Sequence, residues 1–257
     1  MKKKQATTEA EWAETVANIK EIVPKSVIDD KIAETLRDIR EKTQGNKKAA
    51  YSWSAGKDSI ALQFVCNLAG IKDNVFVYCD LEYTAFMEWV NKYKPDNCTM
   101  INTGQNLEWL AEHPEMLFPM DSATAGKWFH IIQHRGQEKY YKDNNLDMIL
   151  LGRRKQDGNY TGKDGIYTNA KGITRYSPLY LWTHEDILAL IAWYEMPIPP
   201  IYGWKNGYLC GTHNFAERQW TGSIENGWKE VYDIEPEWVE KSAKYFKSAE
   251  DFLKGVK

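Results

Sequence analysis

The chain has 257 residues, 43% hydrophobic and 27% charged, with a formal net charge of -3. That length supports one large α/β domain with appendages and a full core. The slight negative charge excludes bulk electrostatic binding to nucleic acid, though not a local basic groove, and no run of about 18 apolar residues is present.

Met1-Lys2-Lys3-Lys4 leads into polar residues rather than an apolar leader core, and the four cysteines (Cys66, Cys79, Cys98, Cys210) lack framework spacing. Both features predict a cytoplasmic protein that is neither membrane-bound nor secreted. The first 45 residues predict two amphipathic helices, with Trp12, Val16, Ile19 and Val23 on one face and Ile28, Ile32, Leu36 and Ile39 on another. Pro24 separates them and Gly45-Asn46 closes the second. This helical N-terminal extension is expected to cover the main domain.

Strand and helix then alternate. Residues 49–53 predict a strand and 60–68 a helix ended by Gly70. Residues 75–79 predict a buried strand and 83–93 a helix, 98–102 a strand and 107–110 a short helix. A longer helix over 127–141 leads to a strand at 148–151. Such alternation predicts a parallel twisted sheet with helices on both faces, whose strands end at one edge where ligands bind. Residues 152–176 are glycine-rich, with a short hairpin expected near 166–174. Thr183 is placed to cap a helix over 184–194, with Asp186 three residues on. Pro197, Pro199 and Pro200 then force an extended exit, and the aromatic remainder predicts helices. The domain expectation is therefore 1–45 helical extension, 46–202 α/β domain and 203–257 helical, aromatic-rich extension. The eleven tryptophans, among them Trp220, Trp228 and Trp238, are expected mainly to pack cores.

Between the first strand and its helix stands Ser54-Ala55-Gly56-Lys57-Asp58-Ser59. A tight turn of small residues at a helix start aims unsatisfied N–H groups, and the positive end of the helix dipole, at one point. Gly56 allows close backbone approach, Ser54 and Ser59 offer hydroxyls, and Lys57 adds a full charge. The turn is not a Walker A loop, because Tyr51 replaces its first glycine and Asp58 its metal-binding hydroxyl. Asp80, ending the second strand, is placed to bind ribose, adenine or Mg²⁺, or to cap the next helix. Arg153, Arg154 and Lys155 follow a strand end after Gly152, an arrangement that invites an anion between the adjacent cations. His130 with His134 and Cys210 with His213 have spacings that can bind metal, but a structural role is the preferred reading and no metal site is assigned. Glu82 and Glu88 read as solvated helix residues.

The sextet resembles the PP-loop of the ATP pyrophosphatase superfamily. Ser52 to Ser59, Asp80 with Glu88, residues 152–157, Ser177-Pro178-Leu179 followed by Trp182-Thr183-His184-Glu185-Asp186, and residues 198–202 together resemble the phosphoadenylylsulfate (PAPS) reductase family, which includes the small subunit of sulfate adenylyltransferase. The resemblance implies an adenine nucleotide alpha hydrolase-like fold. It also implies that Ser52, Ser54, Ala55, Gly56, Lys57, Asp58 and Ser59 hold the nucleotide and that the loop Gly152, Arg153 and Arg154 binds phosphate or sulfate oxygens; Asp80 is assigned to the nucleotide site from its place at a strand end, and Lys57, Asp58 and Arg154 are the catalytic candidates. The resemblance implies ATP with Mg²⁺. Residues 251–257 lack the cysteine that the resemblance would require as the thiol attacking sulfur in a reductase, and Cys210 stands alone where a paired motif belongs, so no iron–sulfur cluster is expected.

The expected activity is adenylation of a second substrate by ATP with release of pyrophosphate, in sulfur transfer or nucleic-acid modification. Alternatives are a PAPS or adenylylsulfate reductase, and a non-catalytic nucleotide sensor or subunit of a nucleic-acid-modifying complex. The acceptor is open, a sulfur-donor or modification-complex protein is a candidate partner, and a homo-oligomer is among the options for assembly.

Overall fold

A computed structural model describes residues 7–45, 47–219 and 221–256; Lys2–Lys4, Asn46 and Trp220, named above, lie outside them. Six strands form one sheet: β1 (Ala49–Ser52), β2 (Asn74–Tyr78), β3 (Cys98–Asn102), β4 (Met148–Leu150), β5 (Ile166–Thr168) and β6 (Thr174–Tyr176). Their order is β3-β2-β1-β4-β6-β5. β1 pairs in parallel with β2 (Tyr51↔Asn74) and with β4 (Ala50↔Ile149), and β4 pairs in parallel with β6 (Ile149↔Arg175). β5 is antiparallel to β6.

The α/β class is as expected, with two refinements. The hairpin predicted near 166–174 does not stand apart; β6 extends the parallel sheet and β5 adds an antiparallel edge, so the sheet is mixed. The helix predicted over 127–141 is interrupted, with α-helix at Ser122–Phe129 and Arg135–Asp143 joined by a π-turn at His130–His134. Chain order reverses between β1 and β4: the chain leaves β1 for β2 and β3, then returns to β1's other side. The C-terminal ends of β1 and β4 flank that switch point, where open sheets bind ligands.

The chain divides into two compact units. The first comprises Met1–Phe76, Tyr93–Met100 and Gln137–Pro199. Its core includes Ile28, Ile32 and Ile39 of the helix Lys25–Lys42, spaced along one helical stripe. The helix Lys57–Leu68 buries Ile60, Ala61, Leu62, Val65 and Cys66, and the helix His184–Trp193 buries Ile187 to Ile191. Trp182 Nε1 donates to Thr35 Oγ1 at 3.0 Å and Lys31 pairs with Asp186 at 2.9 Å, fastening the N-terminal helices to this core.

The second unit comprises Val77–Lys92, Ile101–Gly136 and Pro200–Lys257. Trp228 is fully buried, edge-on to Phe118 at 4.8 Å, and its Nε1 donates to Ser248. Trp128 is equally buried and donates to the Met116 carbonyl. These two tryptophans pack the core, as tryptophan does when its N–H finds a partner. His130 and His134 meet edge-on within the π-turn, and His213 pairs with Glu217 at 2.6 Å while Cys210 is buried. Glu82, read as solvated, is instead a buried carboxyl: burial pushes its pKa up to about 8. Among the described residues no helix is long and apolar enough to cross a membrane.

The capping box at Thr183 fixes where the helix His184–Trp193 begins. Asp186 N–H donates to Thr183 Oγ1 at 3.1 Å and Thr183 N–H donates to Asp186 Oδ2 at 2.7 Å. Thr183→Ala is expected to lower unfolding free energy by about 1 kcal/mol, measured as a lower urea midpoint at unchanged slope. An unchanged midpoint would contradict the cap's contribution.

Candidate active site

The helix after β1 starts at Lys57, three residues earlier than its hydrophobic pattern announces, so Lys57, Asp58 and Ser59 form its first turn. Ala55 takes a left-handed φ of 60°, a conformation that strains a residue bearing a Cβ, and Gly56 is the N-cap with no side-chain cap. Ser59 braces the turn from inside. Its Oγ donates to the Gly56 carbonyl at 2.9 Å and accepts from the Ser54 N–H at 3.0 Å. Among the described residues the N–H groups of Ala55, Gly56 and Asp58 have no hydrogen-bond partner. A strained turn thus presents unpaired amides at a helix N-terminus, the donor set that receives phosphate.

Asp58 joins this turn to the loop after β4. One carboxylate oxygen accepts from Lys57 Nζ at 2.7 Å, and the other lies 2.8 Å from Arg154 Nε, an ion pair without hydrogen-bond alignment. Burial pushes the Asp58 carboxyl up, but Lys57 and Arg154 overcome it and hold the group down at about 2. Arg154 is fully buried. Its Nη2 donates to Asp157 at 3.0 Å and to His184 Nδ1 at 2.9 Å, and its Nη1 donates to Gln156 at 3.2 Å and to the Trp182 carbonyl at 3.4 Å. Every guanidinium nitrogen therefore faces protein, which makes Arg154 a residue that positions Asp58.

His184 completes the cluster as a neutral group. Burial, reinforced by the charges of Lys57 and Arg154, pushes its pKa down to about 3. Because Nδ1 accepts from Arg154, the proton resides on Nε2, which faces Asp157 at 3.5 Å. Lys57 and Arg154 are then balanced by Asp58 and Asp157.

The loops can approach so closely because residue 152 is glycine. A Cβ there would lie 3.0 Å from the carbonyl of Asp58 and 3.3 Å from Ser59 N. The three consecutive cations do not converge on one point. Arg154 turns into the cluster, Arg153 donates to Tyr167 Oη at 3.1 Å, and the exposed Lys155 lies over the Tyr180 ring at 4.8 Å.

Of the other site residues named from sequence, Ser52 is buried and its hydroxyl accepts from Gln137 at 3.0 Å. Asp80 belongs to the second unit, where its carboxylate accepts from Asn102 at 2.5 Å and its N–H donates to Gln105. Gln156, Asp157 and His184 join the cluster though sequence reading gave them no role. The signal available was the proximity of Asp157 to Arg154 along the chain, and of His184 to a helix cap. Both oxygens of Asp58 are engaged by cations, so the carboxylate is not disposed to ligate Mg²⁺. Among the described residues no group of three or more His, Cys, Asp or Glu side chains is arranged to hold a metal ion.

The family model for the phosphoadenosine phosphosulfate reductase domain matches residues 48–209. Among solved structures, the phosphoadenylyl-sulfate (PAPS) reductase from Candida auris, in a phosphate complex, is similar at a TM-score of 0.51 and 15% identity. The similarity covers 71% of this chain and 94% of that one, and at this identity it is a likeness of fold. No curated protein matches the chain.

The neutral state of His184 has a pH signature. Its folded pKa lies below the ordinary value of 6.5, so the unfolded chain binds the extra proton between the two. The stabilisation is full above pH 6.5 and drains as pH falls towards 3. His184→Asn, which retains an acceptor for Arg154 but cannot titrate, is expected to abolish a loss on the order of 1–2 kcal/mol between about pH 7 and 5. Chemical denaturation of both proteins across that range is the check, and parallel curves would contradict the assignment.

Proposed function

The chain belongs to the phosphoadenosine phosphosulfate reductase domain family, and from that premise we propose that it is an enzyme that binds ATP at residues 54–59 and adenylates a second substrate, releasing pyrophosphate. The observation that carries this reading is the set of unpaired amides at Ala55, Gly56 and Asp58 beside a lysine held by its neighbour. In the proposed reaction an acceptor oxygen attacks the α-phosphorus in line, the bond from that phosphorus to the bridging oxygen breaks, and pyrophosphate leaves with the electron pair.

The amides and Lys57 stabilise charge on the polyphosphate, in positions set before substrate arrives. Asp58 and Arg154 hold Lys57 and the helix start in place. Mg²⁺ accompanies ATP as the nucleotide's own counterion. The acceptor belongs to sulfur transfer or to nucleic-acid modification.

Thiol-dependent reduction of a nucleotide-bound sulfur is the competing chemistry in this family, and it requires a reactive thiolate. Burial pushes the thiols of Cys66 and Cys79 well above their ordinary range and that of Cys98 up to about 11, which disfavours the thiolate at these positions.

The test follows α-labelled and γ-labelled ATP in parallel with candidate acceptors. Pyrophosphate and an AMP-linked product are expected, and orthophosphate alone would overturn the proposal. Lys57→Met, which keeps the buried aliphatic volume, is expected to lower turnover by about 100-fold or more with the far-ultraviolet circular dichroism unchanged. Wild-type turnover in that variant would remove Lys57 from the mechanism.

A further inference from the structure

Glu82 lies in the loop between β2 and the helix Thr84–Tyr93. Its Oε1 accepts from the Cys79 N–H at 3.3 Å and from the Cys79 thiol at 3.9 Å, while Oε2 is buried and has no hydrogen-bond partner. Among the described residues no lysine or arginine pairs with this carboxyl. A buried carboxylate with one oxygen unmatched and no counterion is a costly group, so the loop accommodates the neutral acid.

A segment from the C-terminal part of the second unit docks on that loop. The Phe215 N–H donates to the Leu81 carbonyl at 3.2 Å, and the next carbonyl, of Ala216, accepts from the Phe118 N–H at 2.8 Å. Asn214 Oδ1 shapes the turn by accepting from the N–H groups of Ala216 and Glu217. The segment thereby carries a second buried carboxylate, Glu217, to the neighbourhood of Glu82. Burial is the main cause that pushes the Glu82 pKa up, and the charge of Glu217 adds to it. The groups that face Glu82 are Cys79 from its own loop and Glu217 from the segment. Behind Glu217 stands His213, its Nδ1 2.6 Å from Glu217 Oε1, and Asp80 stands beyond Cys79.

We propose that Glu82 and Glu217 form a proton-operated latch: with Glu82 protonated the segment Asn214–Glu217 stays docked on the loop 79–83, and loss of that proton to water sets two carboxylates against each other and releases the segment. The latch stands whatever substrate the protein takes.

The sign of the effect follows from the two states. Closed, Glu82 keeps its proton up to about pH 8; released into water, it titrates near the ordinary 4.5. The closed form is therefore fully favoured below pH 4.5, and that preference drains as pH rises through 8. The direction is opposite to that of His184, whose contribution is already full above pH 6.5, so the two effects separate in one protein.

Backbone amide exchange of the full chain between pH 6.5 and 8.5, corrected for the intrinsic rate, reads the latch. Phe215 and Cys79 are the reporting amides, because one donates across the docked surface and the other to Glu82 itself. The Asp186 amide, bound to Thr183 in the first unit, is the reference. Exchange at both reporters is expected to rise about 20-fold in wild type, the factor set by pKa values of 4.5 and about 8, with the reference unchanged. Glu82→Gln, which keeps an acceptor for the Cys79 N–H and does not titrate, is expected to flatten the rise. Glu217→Gln is expected to reduce it, and His213→Asn to leave it in place. A flat wild type would overturn the proposal whatever the variants do. So would the full wild-type rise in Glu82→Gln, or a rise abolished by His213→Asn, which would assign the titration to the histidine. Where Glu82→Gln fails to fold, Glu217→Gln decides, and an undiminished rise there overturns the latch.

Discussion

The bond between Asp58 and two cations, Lys57 from its own helical turn and Arg154 from the loop after β4, is the constraint on which the rest of the site depends. It operates where water is largely excluded, so its worth is set by completeness rather than by any single contact. A buried ion pair contributes little net stability when both partners are present, yet loss of one partner costs about 3–5 kcal/mol because the other charge is stranded. Arg154 is the extreme case, fully buried with five polar neighbours. The neutral imidazole of His184 keeps the cluster balanced, since a third cation there would oppose Lys57 and Arg154.

This arrangement explains why a strained turn is maintained. Ala55 in the left-handed region and a helix capped only by glycine both cost stability, and both leave amides unsatisfied. Such a turn persists when its surroundings determine it from several sides. Here Ser59 ties the turn to itself, Asp58 ties it to Arg154, and Gly152 admits the neighbouring loop against the helix start. The resulting donors are fixed before any ligand arrives, which is what electrostatic stabilisation of a polyphosphate requires. The parallel pairing of β1 with β4 at the topological switch point makes the two loops neighbours.

Much of this was legible in the sequence, and the exceptions have physical reasons. Strand-length apolar runs such as Val75 to Tyr78 and punctuation by Gly70 and Pro197 locate elements, because periodicity and chain stiffness are local properties. The sextet at 54–59 announced its own turn, since small residues between a strand and a helix start permit a tight reversal. What was not legible depends on pairings distant along the chain. That Arg154 turns inward to Asp58 while Arg153 reaches Tyr167 cannot be read from three adjacent cations; it follows from the pairing of β5 with β6 and the packing of His184. The π-turn at His130–His134 is a hydrogen-bond choice invisible to a helical hydrophobic pattern. Glu82 reads as a solvated helix residue, yet it precedes the helix Thr84–Tyr93, and burial raises its pKa to about 8.

The most direct measurement is a double-mutant cycle on Asp58 and Arg154, read out as ATP affinity by calorimetry. If the two act as one clamp on the nucleotide turn, Asp58→Asn and Arg154→Gln each weaken ATP binding and the double variant binds no worse than the weaker single variant. Additive losses, or affinities unchanged from wild type, would show that the turn holds its ligand without the clamp and would contradict the account at its base.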